Sequence, residues 1–307
     1  MNFEVKILGC NSAIAQHGRH PTAQVFTINE KPFLIDCGEG TQMRMTDFKV
    51  KRFKIDQIFI SHLHGDHYYG LVGLITTFNL LGRTNKLTIF SPTPLKQIID
   101  LQLLAGGATL NYPLEFIATQ AKEIELIYEN DFLSVHSFPL KHRVPTTGFL
   151  FKEKNKLRKI NGEAIKPFSL DSNMFQNLRE GNDIIDKLGN IVKYENVTFP
   201  PSPPRSYAYC SDTAYFPEII PHIQGVDLLY HETTFMADAE KRAIETMHST
   251  TINAANIANQ ANVKRMIIGH FSSKYIQLND LLNETRSHFA NANLAVEGET
   301  FRVERQN

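Results

Sequence analysis

The sequence predicts an α+β fold in which β-strands and α-helices are packed as a layered sandwich. Short apolar runs with the alternation of β-strands are interspersed with helical segments, without a regular strand–helix–strand alternation. With 307 residues, 42% of them hydrophobic, the chain can bury a large core, as one layered unit or as two halves. Several predicted strands end just before a histidine or an aspartate, so these strand ends are also expected to carry the chemistry.

The first half of the chain divides into elements by its apolar periodicity and its turn residues. Period-two alternation predicts strands at residues 3–9, 23–28, 32–37, 56–60, 86–90, 114–118, 123–128, 132–138 and 148–151. Helical spacing predicts helices at residues 42–48, 66–81 and 94–104. The segment between the first two strands contains Gly, His and Pro and is predicted to form a loop.

Residues 151–205 differ in character from the segments on either side. Residues 152–166 contain six Lys or Arg and two Glu, periodicity is weak throughout, and residues 200–204 are rich in proline. We therefore predict a catalytic unit formed by residues 1–150 and 206–307, with residues 151–205 inserted as a flexible arm. On composition alone, a charged solvated loop without a function is the alternative.

Core elements resume after this segment. Strands are predicted at residues 207–210, 226–230 and 264–269, helices at 237–246, 250–261 and 278–289, and one or two closing strands within 293–303. As in the first half, these strands end just before residues of types that bind metal ions.

The sequence SHLHGDH at residues 61–67 is the strongest functional signal in the chain. Three histidines and an aspartate lie within six residues, directly after the apolar run 58–60. Alternating side chains place the first two histidines on one side, and the glycine then lets the chain turn so that all four face one space. A solvated histidine-rich loop is disfavoured because the motif follows a buried strand. The candidate ligands are His62, His64, Asp66 and His67.

Three later strand ends supply further candidate ligands. Alone, a histidine after an apolar strand is more often structural, but together with the motif the set provides seven ligands, enough for two zinc ions and a bridging carboxylate. Such a pair can activate water and polarise a phosphoryl or carbonyl oxygen, and Asp66 could orient or deprotonate that water. The later ligands are His142, Asp212 and His270.

Glu232 and His248 are not needed as ligands. A carboxylate that orients a histidine makes a general acid, which could protonate a leaving alkoxide. The alternative for His248 is a residue that only precedes the N-terminus of a helix capped by Ser249.

Composition limits the remaining possibilities. The formal net charge is zero, so nucleic acid would have to be bound by local patches rather than by a global basic field. The three cysteines show no CxxC spacing, which favours a reduced, cytoplasmic compartment over a disulfide framework. The first ten residues alternate like a strand and do not resemble a signal peptide, and no apolar stretch is long enough to span a membrane.

Seven further motifs accompany SHLHGDH over nearly the whole chain outside the arm. They are LGCNSA, LIDCGEGTQ, PLKHRVPTTGF, YCSDT, HETTF, MHSTT and GHFSSKY. SHLHGDH is similar to the signature of the metallo-β-lactamase superfamily, which also contains lactamases, glyoxalases and other nucleases. Taken in order with the seven motifs, it narrows the resemblance to the ribonuclease Z family of tRNA 3′-processing endonucleases.

The resemblance implies a four-layer αββα sandwich and a homodimer that cleaves precursor tRNA after the acceptor stem. It implies that one zinc ion is bound by His62, His64 and His142, and the second by Asp66, His67 and His270. Asp212 would bridge the two ions, Asp66 would also act as general base, and Glu232 and His248 would assist the leaving 3′ oxygen.

In the same family the inserted arm clamps the tRNA, and basic residues suit contacts with phosphates. The arm of this chain lacks the Gly-Pro-rich motif usual in bacterial members. The candidate RNA-binding residues are Lys152, Lys154, Lys156, Arg158 and Lys159.

Two other functions remain open from the sequence. A general two-zinc phosphodiesterase could use the same centre on small or cyclic phosphodiesters. A non-catalytic RNA-binding or scaffold protein could retain the fold, although seven intact candidate ligands argue against it.

Overall fold

A computed structural model describes residues 2–305 and confirms the predicted sandwich, in which two seven-stranded sheets pack face to face. The first sheet contains, in spatial order, β18 (Thr300–Arg302), β1 (Phe3–Gly9), β2 (Ala23–Ile28), β3 (Lys31–Ile35), β4 (Gln57–Phe59), β5 (Leu87–Ser91) and β6 (Leu114–Ala118). The second contains β17 (Ala292–Leu294), β16 (Met266–Gly269), β15 (Leu228–Glu232), β14 (Ser206–Cys210), β9 (Thr146–Glu153), β8 (Leu133–Leu140) and β7 (Glu125–Glu129).

Helices cover the outer face of each sheet and complete four layers. The first sheet is covered by α1 (Thr41–Asp47), α3 (Leu71–Leu80) and α4 (Pro94–Ala105), and the second by α8 (Thr251–Gln260) and α9 (Asn279–His288). The remaining helices are α2 (Gly65–Tyr68), α5 (Ser172–Glu180), α6 (Tyr194–Val197) and α7 (Glu240–Thr246), with 3₁₀ turns at Arg52–Lys54, Pro217–His222 and Ala237–Ala239.

Aromatic rings fill the space between the two sheets. Phe26 of the first sheet lies 4.7 Å from Phe151 of the second, measured between ring centroids, and Phe59 lies 5.5 Å from Phe149. All four side chains are fully buried. Tilted ring pairs at these separations add to the hydrophobic contribution of the interior, so the sheets are held in a fixed relation.

Both sheets place the carboxyl ends of parallel strands at one edge. Strands β3 to β6 run parallel in the first sheet, and β14 to β17 run parallel in the second. Loops that follow such strand ends converge, which is why open α/β sheets bind ligands there. Residues that are distant in sequence are thereby brought to one edge of the sandwich.

The prediction of a single helix at residues 66–81 is wrong, because α2 and α3 are separated there by Tyr69 and Gly70. The N–H of Gly70 donates to the carbonyl of Cys37 at 2.9 Å instead of continuing the helix. A Cβ at Gly70 would lie only 2.2 Å from the carbonyl oxygen of Gly38. This close backbone approach holds the ligand loop against the end of β3.

The segment between β9 and β14 folds around a small core of its own, although the sequence predicted little regular structure there. It contains α5, α6 and two short antiparallel strand pairs, formed by β10 (Lys159–Ile160) with β13 (Thr198–Phe199) and by β11 (Ile184–Ile185) with β12 (Ile191–Val192). The side chain of Asp171 caps α5 by accepting from the N–H groups of Asn173 and Met174. Leu178, Val192 and Val197 form the buried centre.

The arm joins the sandwich at the edge opposite the convergent loops. β9 runs antiparallel to β14, so the arm begins and ends beside the first residue of β14, whereas the ligand loop follows its last residue. At this junction the buried carboxylate of Glu153 pairs with Arg205 at 3.1 Å and with Arg305 at 2.6 Å. A strand with the length of β9 separates the two edges by roughly 24 Å.

Within residues 2–305, no helix is both long and apolar enough to cross a membrane.

Candidate metal centre

The structure brings all seven sequence-predicted ligands together at the edge where the strand ends converge. The motif follows β4, and the three later ligands follow β8, β14 and β16. Two sets of their nitrogen and oxygen atoms lie within 4.8 Å of one another: a first group of His62, His64, His142 and Asp212, and a second group of Asp66, His67 and His270. Asp212 also lies beside the second group, 3.1 Å from His270 and 3.3 Å from His67. Asp212 and His270 form a further overlapping set with His248.

In the first group, three imidazole nitrogens and one carboxylate oxygen face a common point. Nδ1 of His64 lies 3.1 Å from Nε2 of His62 and 3.2 Å from Nε2 of His142. Oδ2 of Asp212 lies 3.5 Å from the His62 nitrogen and 3.7 Å from the His142 nitrogen.

Asp212 presents its other oxygen to the second group. Oδ1 lies 3.1 Å from Nε2 of His270 and 3.3 Å from Nε2 of His67. Oδ2 of Asp66 lies 3.4 Å and 3.5 Å from the same two nitrogens. One carboxylate therefore faces both groups, as a bridging ligand must.

These residues fit a pair of zinc-like ions. Tetrahedral bonds of about 2.0–2.1 Å place neighbouring donor atoms roughly 3.3 Å apart, close to the spacing in both groups. Among the described residues, Nε2 of His67 and Oδ1 of Asp212 are buried side-chain atoms without a hydrogen-bond partner, and such unsatisfied polar atoms are what an absent ion would explain. Imidazole and carboxylate donors together suit a borderline-soft divalent ion.

The electrostatics of the cluster also favour cations. Burial lowers the pKa of His64 and of His142 to about 4, so both rings are neutral at pH 7, the state that binds a metal. Burial also acts to lower the pKa of His67, but the charges of Asp212, Asp66 and Asp36 raise it well above its ordinary value. Three carboxylates around one ring create a negative potential that a metal ion would neutralise.

Asp36 orients His67 from behind. Its Oδ2 accepts from Nδ1 of His67 at 2.8 Å and from the hydroxyl of Tyr209 at 2.6 Å. Ser61 donates its N–H to Oδ1 and its hydroxyl to Oδ2 of the same carboxylate. Because Nδ1 is bound in this way, Nε2 points to the centre, which is the usual arrangement around a metal-binding histidine.

Two further residues hold the rings of His142 and His270. Nδ1 of His142 donates to the carbonyl of Met247 at 2.8 Å, and Nδ1 of His270 lies 2.9 Å from the hydroxyl of Thr234. Asp36, Met247 and His270 all have positive φ angles, of 54°, 56° and 60°. Such backbone strain in non-glycine residues concentrates at functional sites, where the surrounding structure maintains it.

His248 and Glu232 form a hydrogen-bonded pair beside the centre. Nδ1 of His248 lies 2.9 Å from Oε1 of Glu232, and this fully buried carboxylate also accepts from the N–H groups of Thr213, Ser249 and Thr234. Burial acts to lower the pKa of His248, but the charge and hydrogen bond of Glu232 outweigh it and raise the pKa to about 9. Both ring nitrogens are therefore protonated at neutral pH, and the ring is positively charged.

Comparison with known proteins identifies the family. The chain is 43% identical over 295 residues to a ribonuclease Z of Bacteroides thetaiotaomicron, an alignment that covers 96% of this chain and 93% of the relative. It is 42% identical over 304 residues to a ribonuclease Z of Cytophaga hutchinsonii, covering 99% and 97% of the two chains. The chain belongs to the ribonuclease Z family. The resemblance inferred from the motifs is confirmed, and with it membership of a family of metal-dependent endoribonucleases.

Family models and solved structures agree with this fold. Residues 3–153 match the model described as anti-Pycsar protein Apyc1, and residues 197–271 match a β-lactamase superfamily domain. The structure of the short form of human tRNase Z is similar with a TM-score of 0.70 at 24% identity, covering 97% of this chain and 98% of the other. The metallo-β-lactamase fold protein YhfI of Bacillus subtilis gives 0.71 at 17%, covering 99% and 100%. The predicted metallo-β-lactamase sandwich is confirmed.

In this ribonuclease Z family member, the sequence alone had suggested no role for Asp36 or Thr234. Asp36 does follow the apolar strand β3, in the same way that the ligands follow their strands, so the pattern of strand ends could have identified it. Thr234 had no comparable signal, because its contacts with Glu232 and His270 depend on the folded arrangement of separate strand ends.

The five candidate RNA-binding residues differ in their exposure and in their contacts. Lys152 and Lys159 are exposed. Lys154 pairs with Glu129 at 2.5 Å, and Lys156 lies 3.5 Å from Glu153. Arg158 donates to the hydroxyl of Thr198 at 2.7 Å, and its guanidinium lies 4.7 Å from the ring centroid of Tyr194. Three of the five thus have structural contacts within or at the base of the arm, and their contact with RNA stays a prediction.

Proposed function

We propose that this chain is a two-zinc endoribonuclease that cuts precursor tRNA 3′ of the discriminator nucleotide. The products are a tRNA with a 3′-hydroxyl and a trailer with a 5′-phosphate. The observation that carries the proposal is Asp212, which presents one oxygen to each of two histidine-rich groups. Relatives that are named ribonuclease Z and match over nearly the whole chain support the choice of substrate.

The proposed ligand sets follow the two groups of donor atoms. His62, His64 and His142 would hold one ion, Asp66, His67 and His270 would hold the other, and Asp212 would bridge them. When bound, two such ions supply Lewis acidity and a hydroxide nucleophile at neutral pH.

Asp66 is the proposed general base. Its Oδ2 accepts from the N–H of Ala13 at 2.8 Å, which fixes the orientation of the carboxylate. Burial acts to raise its pKa, but the neighbouring His67 and His270 hold it well below its ordinary value, so the carboxylate is ionised. In that state it can orient the attacking water and accept its proton.

His248 is the proposed general acid. Cleavage of the bond between the 3′ oxygen and phosphorus leaves an alkoxide, which is a poor leaving group unless it is protonated. The His248 ring is charged at neutral pH and is held by the buried carboxylate of Glu232. It can therefore donate a proton to the departing oxygen, which is worth a rate factor of about 10²–10⁴.

We also propose that residues 151–205 form a tRNA-binding arm on a catalytic unit made of residues 1–150 and 206–307. The arm has a small core of its own and joins the sandwich at a narrow base around Glu153 and Arg205. Exposed basic side chains, Lys159 on the arm and Lys152 near the end of β9 at its base, suit phosphate contacts that a protein of zero formal net charge needs locally. A homodimer in the cytoplasm, where precursor tRNA is processed, completes the proposal.

The alternative is a general phosphodiesterase. The seven candidate ligand residues and His248 contain nothing specific to RNA, so the centre alone could hydrolyse small or cyclic phosphodiesters. Under that alternative the arm would be dispensable for the natural reaction.

The test is to incubate the protein with a tRNA precursor that carries a 3′ trailer, with and without a chelator, and to measure bound metal. Cleavage next to the discriminator nucleotide that stops with the chelator and returns with zinc is expected. An intact precursor in the presence of zinc would refute the proposal.

A further inference from the structure

The loop between β1 and β2, residues 11–20, lies against both loops that carry ligands of the second group. The N–H of Ala13 donates to Oδ2 of Asp66 at 2.8 Å. The N–H of Ser12 donates to the carbonyl of Phe271, the residue after His270, at 3.0 Å. This segment, named here the β1–β2 loop, therefore joins two ligand-bearing loops that are distant in sequence.

Arg19 fastens the β1–β2 loop at its far end. Its Nε donates to Oδ1 of Asn11 at 2.9 Å, Nη1 donates to the carbonyl of Ile276 at 3.1 Å, and Nη2 donates to the carbonyl of Tyr275. These acceptors are one amide and two backbone carbonyls, all uncharged, so the contact depends on the directions of the donors. A guanidinium group holds its donors in one plane at fixed angles, which a lysine ammonium does not reproduce.

Asn11 carries this restraint back to Ala13. The side chain of Asn11 is fully buried, and its Nδ2 donates to the carbonyl of Ile14 at 2.9 Å. Ala13, the residue before Ile14, has a φ of 57°, a left-handed conformation that a non-glycine residue keeps only where surrounding contacts impose it. The direction of the Ala13 N–H therefore depends on the contact between Asn11 and Arg19.

The hydrogen bond from Ala13 reaches only one oxygen of Asp66. The same oxygen, Oδ2, lies 3.4 Å from Nε2 of His270 and 3.5 Å from Nε2 of His67, so it belongs to the second group of donor atoms. Oδ1 accepts no hydrogen bond from any residue within 2–305. The torsion that turns an aspartate carboxylate is broad, so a contact from outside the side chain has to select its orientation. With Oδ2 held, Oδ1 is the oxygen left for a water molecule.

We propose that Arg19 is a positioning residue. It fastens the β1–β2 loop so that Ala13 holds Oδ2 of Asp66 among the ligands, and Oδ1 receives the proton of the attacking water. As the water oxygen bonds to phosphorus, one of its protons passes to Oδ1. The bond between phosphorus and the 3′ oxygen breaks, and that oxygen takes the proton of His248. The role of Asp66 in this step rests on the proposed function, whereas the fastening of the loop does not.

The fastening is tested by amide hydrogen exchange in the zinc-loaded protein without substrate. Ala13 is exposed, so its N–H should be protected from exchange by its acceptor on Asp66. In Arg19→Ala the Ala13 amide should exchange about tenfold faster than in the original protein. Arg302→Ala, which removes an exposed arginine and its ion pair with Glu4, is the matched control and should leave this rate unchanged. Equal exchange in the two variants would overturn the proposal.

The consequence for catalysis is tested with precursor tRNA and with bis(p-nitrophenyl) phosphate, on enzymes whose zinc content has been verified. Arg19→Ala should lower kcat by about 10–100-fold for both substrates, because both reactions use the same water and the same carboxylate. The KM for precursor tRNA should stay the same. A raised KM with an unchanged kcat would show that Arg19 binds RNA instead and would overturn the proposal.

Arg19→Lys separates the geometry of the side chain from its charge. It keeps the positive charge but cannot donate to all three acceptors, so the exchange of the Ala13 amide and kcat should both stay close to those of Arg19→Ala. Full recovery of both would contradict a geometric role. If a thermal unfolding scan shows that Arg19→Ala does not fold, Arg19→Lys decides by the same two measurements against the original protein.

Failure of the proposed function is distinguishable from failure of this inference. If the original enzyme leaves precursor tRNA intact but hydrolyses bis(p-nitrophenyl) phosphate, the proposed substrate is wrong, and the Arg19 variants still decide the positioning role on the small phosphodiester. If it hydrolyses neither, the proposed chemistry and the catalytic part of this inference are both wrong, whatever the exchange rate of Ala13.

Discussion

Nδ1 of His248 lies 2.9 Å from Oε1 of Glu232, a residue whose carboxylate is completely buried and accepts hydrogen bonds from three backbone N–H groups. The carboxylate cannot move without leaving these donors unpaired inside the protein, which is unfavourable. The His248 ring is therefore held at one position beside the metal centre.

His248→Ala should keep the metal content of the original enzyme and lower kcat by about 10²–10⁴-fold, because only the general acid is removed. Metal analysis tests the unchanged metal content, and single-turnover kinetics test the lower rate. The metal measurement matters because Asp212, His248 and His270 also lie close enough together to hold an ion. Loss of zinc in the variant would mean that His248 is a ligand.

The pairing also predicts how His248 titrates. Since its pKa is raised to about 9, the ring is protonated at neutral pH and loses its proton only as the pH rises through about 9. NMR titration of the metal-free protein measures this value directly. In Glu232→Gln the negative charge is removed while the shape is kept, so the pKa should fall towards or below its ordinary value. An unchanged pKa in that variant would contradict the assignment of Glu232 as the cause.

Asp36 should control the affinity of the second group for its ion. Asp36→Ala removes the partner of His67 Nδ1, and the loss of such a partner lowers metal affinity by about 10–100-fold. Competition with a chelator measures this change. Tyr209→Phe, which removes only the hydroxyl that donates to Asp36, is the matched control and should have a much smaller effect. Equal effects of the two variants would show that general destabilisation of the interior is responsible.

The arm should be needed for tRNA and not for the chemistry. Replacing residues 157–203 with a short Gly/Ser linker keeps Glu153 and Arg205, whose ion pair closes the base of the arm. The kcat/KM of this variant for precursor tRNA should fall on the order of a hundredfold, because phosphate contacts are removed, and bis(p-nitrophenyl) phosphate should still be hydrolysed. Equal loss of both activities would contradict a substrate-binding role.

Sequence patterns identified the seven side chains that the structure brings to one edge, because each of these candidate ligands lies next to an element with a strong local signal. His142, Asp212 and His270 follow apolar strands, and parallel strands bring their carboxyl ends to one edge. The break between α2 and α3 lacked such a signal, since it depends on the contact of Gly70 with the backbone at Cys37.

Local sequence patterns also failed to predict the secondary structure of the arm. Its α5 is stabilised by Leu178 packing with Val192 and Val197, residues that follow it in the chain and lie in weakly patterned segments. Local propensity there is modest, so tertiary contacts decide the structure. For His67, His142 and His270, the nitrogen that faces the centre is likewise set by partners that are distant in sequence, Asp36, Met247 and Thr234.

The most direct test of the account is the chemical identity of the ends produced from a precursor tRNA. Water attack with His248 protonating the 3′ oxygen predicts a 3′-hydroxyl on the discriminator nucleotide and a 5′-phosphate on the trailer, in an enzyme loaded with two zinc ions. A 2′,3′-cyclic phosphate and a 5′-hydroxyl, or cleavage that continues after the zinc is removed, would contradict it.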